Sequence, residues 1–261
     1  MPTHILDLPI WLFGSLFVGG FVALSLGMTL ALRPFVRRRF GEEHNAVFDT
    51  GFSAVGTMYA IVAGLLVFGV YSTFEEAQQS SAGEATNLTL MHKQSFAFPQ
   101  PYREQAQQAI ISYTRSVIDD DWPALAESEG SPKTSAALNH MFAVWAPIEG
   151  SGPWIDEYSS SVDELNDVVR LRNERIDDSR QALEPIYWVL LFVGGFLTIL
   201  HLALLRMANR TMHLLAVGVT SAMLAMVLFL LIQVNQPFRG EIALSPVSFQ
   251  EALNSMTTIG Q

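Results

Sequence analysis

The protein has 261 residues, of which half are hydrophobic, 15% are charged and none is cysteine. The missing cysteine excludes disulfides, zinc–thiolate sites, iron–sulfur clusters and thiol nucleophiles. A formal net charge of -10 and the lack of a basic patch long enough to follow a run of phosphates argue against nucleic-acid binding. Typical soluble domains are about a quarter charged, so this composition, with its apolar residues gathered in two blocks, predicts membrane segments around a polar insertion.

Four uncharged windows are long enough to cross a bilayer, which takes about 20 apolar residues in a helix. They predict transmembrane helices at about residues 9–32, 48–74, 185–205 and 212–234. The first window lacks the basic start and the small-residue cleavage site of a signal peptide, so we interpret it as a membrane span. The predicted fold class is therefore all-α and integral to a membrane.

Basic residues beside the spans predict the orientation of the chain. The topology determinants are Arg33, Arg37, Arg38, Arg39, Arg206 and Arg210. Because basic loops stay in the cytoplasm, the connections within residues 1–74 and 184–236 are predicted to be cytoplasmic. The middle domain and both termini then face the periplasm of a bacterial inner membrane. Four more arginines between residues 170 and 180 nearly cancel this bias, but long domains translocate largely regardless of charge.

Residues 75–183 predict an extramembrane helical bundle inserted between the second and third spans, since no alternating strand pattern occurs. Its first helix continues span two to about Phe96, and its second runs from Tyr102 to about Glu127. Ser131 followed by Pro132 is a helix start signal, and the third helix runs on to about Trp145. The fourth helix leads to Pro185, where span three begins, so the first and last helices of the bundle are predicted to extend spans two and three.

The fourth helix of the bundle carries an apolar heptad stripe. Its members are Ile155, Tyr158, Val162, Leu165, Val169, Arg172 and Ile176. We interpret the stripe as packing within the chain's own bundle, and the alternative is a coiled coil between subunits. The tail, residues 237–261, predicts a short amphipathic helix after Pro246, lying on the membrane or docked on its own domain.

Span two holds the candidate functional residues. Small residues recur every four positions at Gly56, Ala60 and Gly64, a spacing that lets helix backbones approach closely in membranes. The candidate helix-packing or pore face is Asp49, Ser53, Gly56, Tyr59, Ala60 and Gly64. Packing within the four spans, an oligomeric contact and pore lining are the alternatives for this face.

No catalytic motif occurs along the chain: a Ser–His–Asp set, HExxH, a P-loop and a dinucleotide-binding glycine motif are all missing. The sequence therefore predicts no enzyme, no cofactor and no metal. The acidic triplet Asp119, Asp120 and Asp121 lacks the spacing of a calcium loop. We interpret it as an exposed helix end, with calcium binding as the less favoured alternative.

A series of separated residues occurs in a familiar order. They are His44 and Asn45; Gly51, Phe52, Gly56 and Tyr59; Glu84 and Ala85; Tyr113; Asp121, Trp122, Pro123 and Leu125; Pro185 and Trp188; Pro237, Phe238 and Gly240; Ser245, Pro246 and Phe249. In this order they resemble the bestrophin-like family of bacterial and plastid membrane proteins, and the matches span nearly the whole chain.

The resemblance implies an oligomeric ion channel, because true bestrophins are pentameric anion channels. Span two is the helix predicted near the pore, because it carries the small-residue face and the aromatic residues Phe52, Tyr59, Phe68 and Tyr71. The calcium-binding and selectivity residues of true bestrophins are not carried over, since the chain shows no clear counterpart of their pore sequence. The outward domain predicted here also differs from their cytosolic one. The alternative function is a non-enzymatic sensor or assembly factor acting through the helical domain. The predicted partners are the lipid bilayer and either further copies of the chain or a membrane partner protein.

Overall fold

The computed structural model describes residues 9–39, 41, 43–148 and 153–259, with the side chains of 43, 44, 46–55 and 259 left out of the description. All regular secondary structure in these ranges is helical, as the sequence pattern predicts. The α-helices are α1 (Ile10–Arg39), α2 (Glu43–Gln94), α3 (Tyr102–Ser116), α4 (Trp122–Leu125), α5 (Pro132–Trp145), α6 (Ile155–Arg180), α7 (Pro185–Leu204), α8 (Arg210–Val234) and α9 (Val247–Ile259).

The chain forms two compact units. Unit 1 comprises Met1–Tyr71 and Leu183–Asn235, and unit 2 comprises Ser72–Ala182 and Gln236–Gln261. The described residues contain four helices that are long and apolar enough to cross a membrane, which confirms the number of predicted spans. These candidates are α1, α2, α7 and α8.

In unit 1, α1 packs antiparallel on α8. Gly14 lies against Phe229, whose ring would be 3.1 Å from a Cβ at that position, and Leu26 lies 4.0 Å from the equivalent point on Gly218. The α1 helix passes through Pro34 and ends at Arg39. Four arginines that follow the first apolar window therefore continue the same helix rather than forming a loop.

Unit 2 has a hydrophobic core built from α2, α3, α5, α6 and α9. Fully buried members include Leu88, Met91, Tyr113, Met141 and Phe249. The predicted start of α5 is confirmed, because the Ser131 side chain accepts a hydrogen bond from the backbone N–H of Lys133 at 3.2 Å.

The heptad stripe on α6 packs inside unit 2. Leu165 is buried in the core, and Tyr158, Val162 and Val169 pack against it. This confirms the interpretation of the stripe as packing within the chain's own bundle. The tail helix α9 also packs into this core, burying Phe249, Ala252 and Met256, so of the two locations predicted for it the structure shows docking on its own domain.

The predicted second helix of the bundle is divided. The α3 helix ends at Ser116, a π-helical turn follows at Val117–Asp121, and α4 covers only Trp122–Leu125. A π-turn inserts an extra residue into the helical repeat, so the residues after it face a different direction from that expected of a regular helix.

Candidate functional site

An apolar groove runs along α2, α7 and α8 in unit 1. It encloses about 500 Å³ and is lined on the α2 side by Gly56, Tyr59, Ala60, Ala63 and Gly64. Four of the six predicted site residues therefore line one groove. The other two, Asp49 and Ser53, have side chains that lie outside the described residues.

Tyr59 fixes one edge of this groove. Its hydroxyl donates a 2.9 Å hydrogen bond to the backbone carbonyl of Leu191 on α7. Its ring lies directly against Gly194, where any Cβ would collide with it. At Gly195 a Cβ would meet Leu224 at 2.8 Å. The glycine pair of α7 therefore serves the close approach of Tyr59 and α8, and Tyr59 packs inside the chain.

The small residues of α2 lie toward the open side of the groove. Ala60 and Gly64 are exposed in the single chain. A Cβ placed on Gly64 would meet nothing within 4 Å, so no helix of the same chain approaches it closely. The spacing of Gly56, Ala60 and Gly64 favours a close helix contact, and at Gly64 the chain's own helices do not provide one.

The side of α2 opposite Tyr59 is strongly apolar and exposed. Ile61, Leu65 and Phe68 are 58%, 65% and 70% exposed. Three or four residues separate them, so they form one stripe along the helix. Only 6% of the apolar window of α2 is buried, against 28% for α7 and 33% for α8, so α2 is more open to lipid or to another chain than those two helices.

Asn45 joins α2 to the connection between α7 and α8. Its side-chain amide donates to the backbone carbonyl of Arg206 at 2.9 Å and accepts from the backbone N–H of Arg206 at 3.1 Å. One side chain thus satisfies both the backbone N–H and the backbone carbonyl of Arg206. The sequence identified Asn45 only through its resemblance to the family, and gave no indication of this partner.

A second cluster of polar side chains lies in unit 2 around Arg175, which is completely buried. Its guanidinium donates to both carboxylate oxygens of Glu84, at 3.0 and 3.2 Å, and to Asp121 at 3.0 Å. The hydroxyl of Tyr113 donates to the same Glu84 at 2.7 Å. Burial and the neighbouring Glu84 charge hold the pKa of Tyr113 well above its usual value, so this phenol remains a donor.

Arg172 completes the ionic cluster. Its guanidinium donates to Asp121 at 3.1 Å and to Ser135 at 3.2 Å, while Asp121 also accepts from the backbone N–H of Ser131 at 2.7 Å. Two arginines and two carboxylates balance in charge, which is how charged groups persist in an interior.

Aromatic rings cover the Arg175 guanidinium on two sides. Its central carbon lies 5.6 Å from the Trp122 ring centroid and 5.3 Å from that of Phe249. The Trp122 indole N–H donates to the Leu244 carbonyl at 2.9 Å, and its ring meets Phe238 edge-on at 5.3 Å. Gly240, at φ 98°, occupies a backbone conformation that favours glycine in the turn after Phe238.

The interpretation of the acidic triplet as an exposed helix end is wrong for Asp121, which is fully buried. Asp121 ends the π-turn Val117–Asp121, and its carboxylate pairs with Arg172 and Arg175. Asp120, by contrast, pairs near the surface with Lys133 at 2.7 Å. In the described ranges no group of three or more His, Asp or Glu side chains is arranged to hold a metal ion.

Sequence reasoning missed Arg175, which it counted only among the charges before span three. The available signal was the resemblance, because Glu84, Tyr113, Asp121, Trp122 and Phe249 were all among the residues that carried it. In the structure these separated positions meet around the Arg175 guanidinium, with Tyr113 reaching it through Glu84.

Another group of charges lies between α2 and α6, in a shallow cavity of about 350 Å³ lined by Glu76, Ser80, Arg170, Glu174 and Asp178. Burial, with the charges of Glu76, Glu174 and Asp177 adding to it, raises the pKa of Asp178 to about 6. Ser80 donates a hydrogen bond that acts in the opposite direction. Asp178 therefore changes charge near neutral pH.

Comparison with known proteins relates these observations to a family. Residues 19–249 match the family described as "Bestrophin-like domain". No match was found among curated proteins.

Similar solved structures include a bacterial bestrophin homologue from Klebsiella pneumoniae with a mutation, at TM-score 0.73 and 12% identity, covering 94% of this chain and 99% of that chain. A second mutated form of that homologue has a TM-score of 0.71 at 12% identity, with the same coverage. A structure described only as a membrane protein has a TM-score of 0.68 at 13% identity, again covering 94% and 99%. The shared fold thus extends over nearly the whole chain.

Proposed function

The chain belongs to the bestrophin-like family, since the family match covers residues 19–249, and from this premise we propose that it forms an ion-conducting homo-oligomer in its membrane. The class of function comes from the resemblance to true bestrophins, which are pentameric anion channels. Anions are accordingly the proposed permeating ions. The finer proposal, that α2 is the helix near the pore, is supported by the two faces of that helix.

The observation that carries the proposal is the exposed stripe of Ile61, Leu65 and Phe68. These side chains lie on the side of α2 opposite Tyr59, which packs on α7. In a ring of subunits, the helix side turned away from its own chain is the side available to face the axis. A ring of apolar side chains forms a constriction that gates ion flow by dewetting.

The small-residue face supports the oligomeric part of the proposal. Gly56, Ala60 and Gly64 lie beside an open groove, and in hydrocarbon such a groove is filled by lipid or by another helix. We assign it to a neighbouring copy of the chain, because small residues permit the backbone approach that stabilises membrane helix contacts. On this view Gly64 belongs to the subunit contact and Leu65 to the pore.

Reconstitution into liposomes tests the channel function. The wild-type protein is expected to pass chloride across the membrane, while empty liposomes do not. Replacing Leu65→Ala widens and wets the proposed constriction, so chloride flux per protein is expected to rise severalfold. Leu215→Ala is the matched control, since Leu215 is a 60% exposed leucine on α8, and its flux should equal that of the wild type. If liposomes that contain the wild-type protein pass no ion at any voltage or pH tested, the channel proposal is contradicted.

The topology is part of the same proposal. We place residues 75–183 outside the membrane as a helical bundle, between spans within 1–74 and 184–236, with the tail 237–261 on the same side. The arginines from Arg33 to Arg39, with Arg206 and Arg210, favour a cytoplasmic location for the short connections. The bundle and both termini then face the periplasm.

Because the natural chain lacks cysteine, single cysteines report this orientation without background. In intact bacteria, with the outer membrane permeabilised, a membrane-impermeant maleimide should label Ser160→Cys in unit 2 and leave Ala208→Cys unlabelled. Both positions are exposed in the chain. The reverse pattern would place the bundle in the cytoplasm and overturn the orientation, while leaving the channel proposal intact.

A further inference from the structure

Six arginines collect at one end of unit 1. Four lie in the C-terminal part of α1, Arg206 lies in the connection from α7 to α8, and Arg210 is the first residue of α8. The contacts of Gly14 with Phe229 and of Leu26 with Gly218 set the antiparallel register of α1 and α8. At about 1.5 Å per residue, Arg33 lies about 10 Å beyond Leu26, and Arg210 lies about 12 Å beyond Gly218 in the same direction. Arg33 and Arg210 therefore lie at about the same level, and Arg37, Arg38 and Arg39 follow about 6–9 Å further along α1.

Hydrogen bonds hold the connection from α7 to α8 and the start of α8, which carry Arg206 and Arg210. The Asn45 amide bonds both peptide groups of Arg206, as described above. The His213 Nε2 lies 2.8 Å from the carbonyl of Leu202 and joins the first turn of α8 to the last turn of α7. The Asn209 side chain accepts from the backbone N–H groups of Thr211 and Met212 and caps α8. The backbone that carries Arg206 and Arg210 is therefore held in place by these hydrogen bonds.

Arg33 has an enclosed nitrogen with no protein partner. Its Nη1 is buried and makes no hydrogen bond with the described residues. Arg37, Arg38 and Arg39 are exposed, and no ion pair joins any of these four arginines to a described carboxylate. In sequence, the carboxylates near this end are Glu42, Glu43 and Asp49, so the six arginines outnumber them two to one.

One face of α1 combines charge with apolar surface. Leu30, Arg33 and Arg37 are three and four residues apart and share that face. Leu30 is 39% exposed and lies one turn toward the apolar part of the helix. A molecule bound there meets guanidinium groups at one end and hydrocarbon surface at the other.

We propose that this end of unit 1 binds the headgroup of an anionic phospholipid, with Arg33 and Arg37 on the phosphate and an acyl chain along Leu30. Guanidinium groups bind phosphate oxygens through paired N–H donors. Basic clusters next to a membrane span and basic pockets between spans attract anionic headgroups. The proposal uses the membrane location and is independent of whether the oligomer conducts ions.

Native mass spectrometry of the purified full chain tests the site by competition between equal amounts of phosphatidylglycerol and phosphatidylcholine. The wild type should retain phosphatidylglycerol preferentially. Each arginine near a headgroup contributes roughly fivefold in affinity, so the Arg33→Gln/Arg37→Gln double variant should lose roughly 25-fold of that preference. Arg115→Gln, an exposed arginine of unit 2, is the matched control and should keep the preference.

Two arms of the experiment decide against the proposal. If the wild type retains the two lipids equally, the proposal is overturned, and this result does not depend on a variant that folds. If the double variant keeps the wild-type preference, the assignment of the site to Arg33 and Arg37 is overturned. Inorganic phosphate, added at the same concentration as phosphatidylglycerol, should not displace the lipid. Full displacement would reassign the site to free phosphate and contradict a lipid site.

Discussion

Arg175 is the residue at which five helical segments of unit 2 meet. Lying on α6, it contacts Glu84 from α2, Asp121 from the π-turn, Trp122 from α4 and Phe249 from α9. Complete burial makes these bonds interdependent, because removing either partner leaves a charge without solvent or counter-ion. The cluster therefore constrains how the segments pack as well as how tightly.

Replacing Arg175→Ala is expected to destabilise unit 2 strongly. The change leaves Glu84 and Asp121 buried without their shared partner, and breaking a buried pair in this way costs about 3–5 kcal/mol. Arg180→Ala on the same helix is the control, since the Arg180 side chain is 57% exposed, and it should change stability by no more than about 0.5 kcal/mol. Denaturant unfolding of the purified chain compares the two variants. Equal stability of both would refute a central role for the buried cluster.

At the level of elements, α2 contributes to both units, and its contacts differ along its length. Its first part presents Tyr59 to α7 and leaves Ile61, Leu65 and Phe68 exposed. Its last part buries Glu84 and Leu88 in the core of unit 2. In between, Glu76 and Ser80 line the cavity shared with Glu174 and Asp178 of α6. Burial of Asp178, together with repulsion from the neighbouring carboxylates, makes the contact between α2 and α6 sensitive to pH.

The raised pKa of Asp178, about 6 against an ordinary 3.8, sets the direction of that sensitivity. A carboxyl whose pKa is raised by folding contributes stability that is fully present below about pH 3.8 and is lost as the pH rises through about 6. Asp178→Asn should therefore raise the melting temperature at pH 7.5, with a gain that shrinks toward pH 4. Melting curves of wild type and variant across this range measure the difference.

Asp163→Asn is the control for this pH experiment. Asp163 is an exposed carboxylate on the same helix, so its replacement should leave the pH dependence of the melting temperature unchanged. If Asp178→Asn lowered the melting temperature at pH 7.5, or raised it equally at every pH, the buried charge of Asp178 would not be the source of the pH dependence.

At the scale of the whole molecule, the features that sequence predicts well are those with local causes. Long uncharged windows predict the four membrane helices because burial in hydrocarbon acts on every residue of the window. The Ser131 and Pro132 pair predicts the start of α5 because a cap acts on its own helix. The apolar heptad stripe predicts the buried side of α6, because residues three and four apart share one face of a helix.

The features that the sequence did not reveal depend on partners that are distant along the chain. Arg175 and Glu84 are 91 positions apart, and nothing near either residue marks it as buried. Asp121 lies four residues after the buried Val117, a spacing that shares a helix face, but its place in an acidic triplet predicted an exposed position, and its partners Arg172 and Arg175 are more than 50 positions away. The partners of Tyr59 and Asn45 likewise lie on α7 or just after it, more than 130 positions away.

The oligomeric state of the purified chain tests the central claim most directly. Native mass spectrometry should show one closed ring whose mass is a fixed multiple of 28.9 kDa, larger than a dimer. Gly64→Leu fills the proposed subunit groove and should break that ring into smaller species. Gly27→Leu, at an equally open glycine of α1, should leave it intact. A wild-type protein that is only a monomer or a dimer would contradict the channel account and favour the sensor or assembly function.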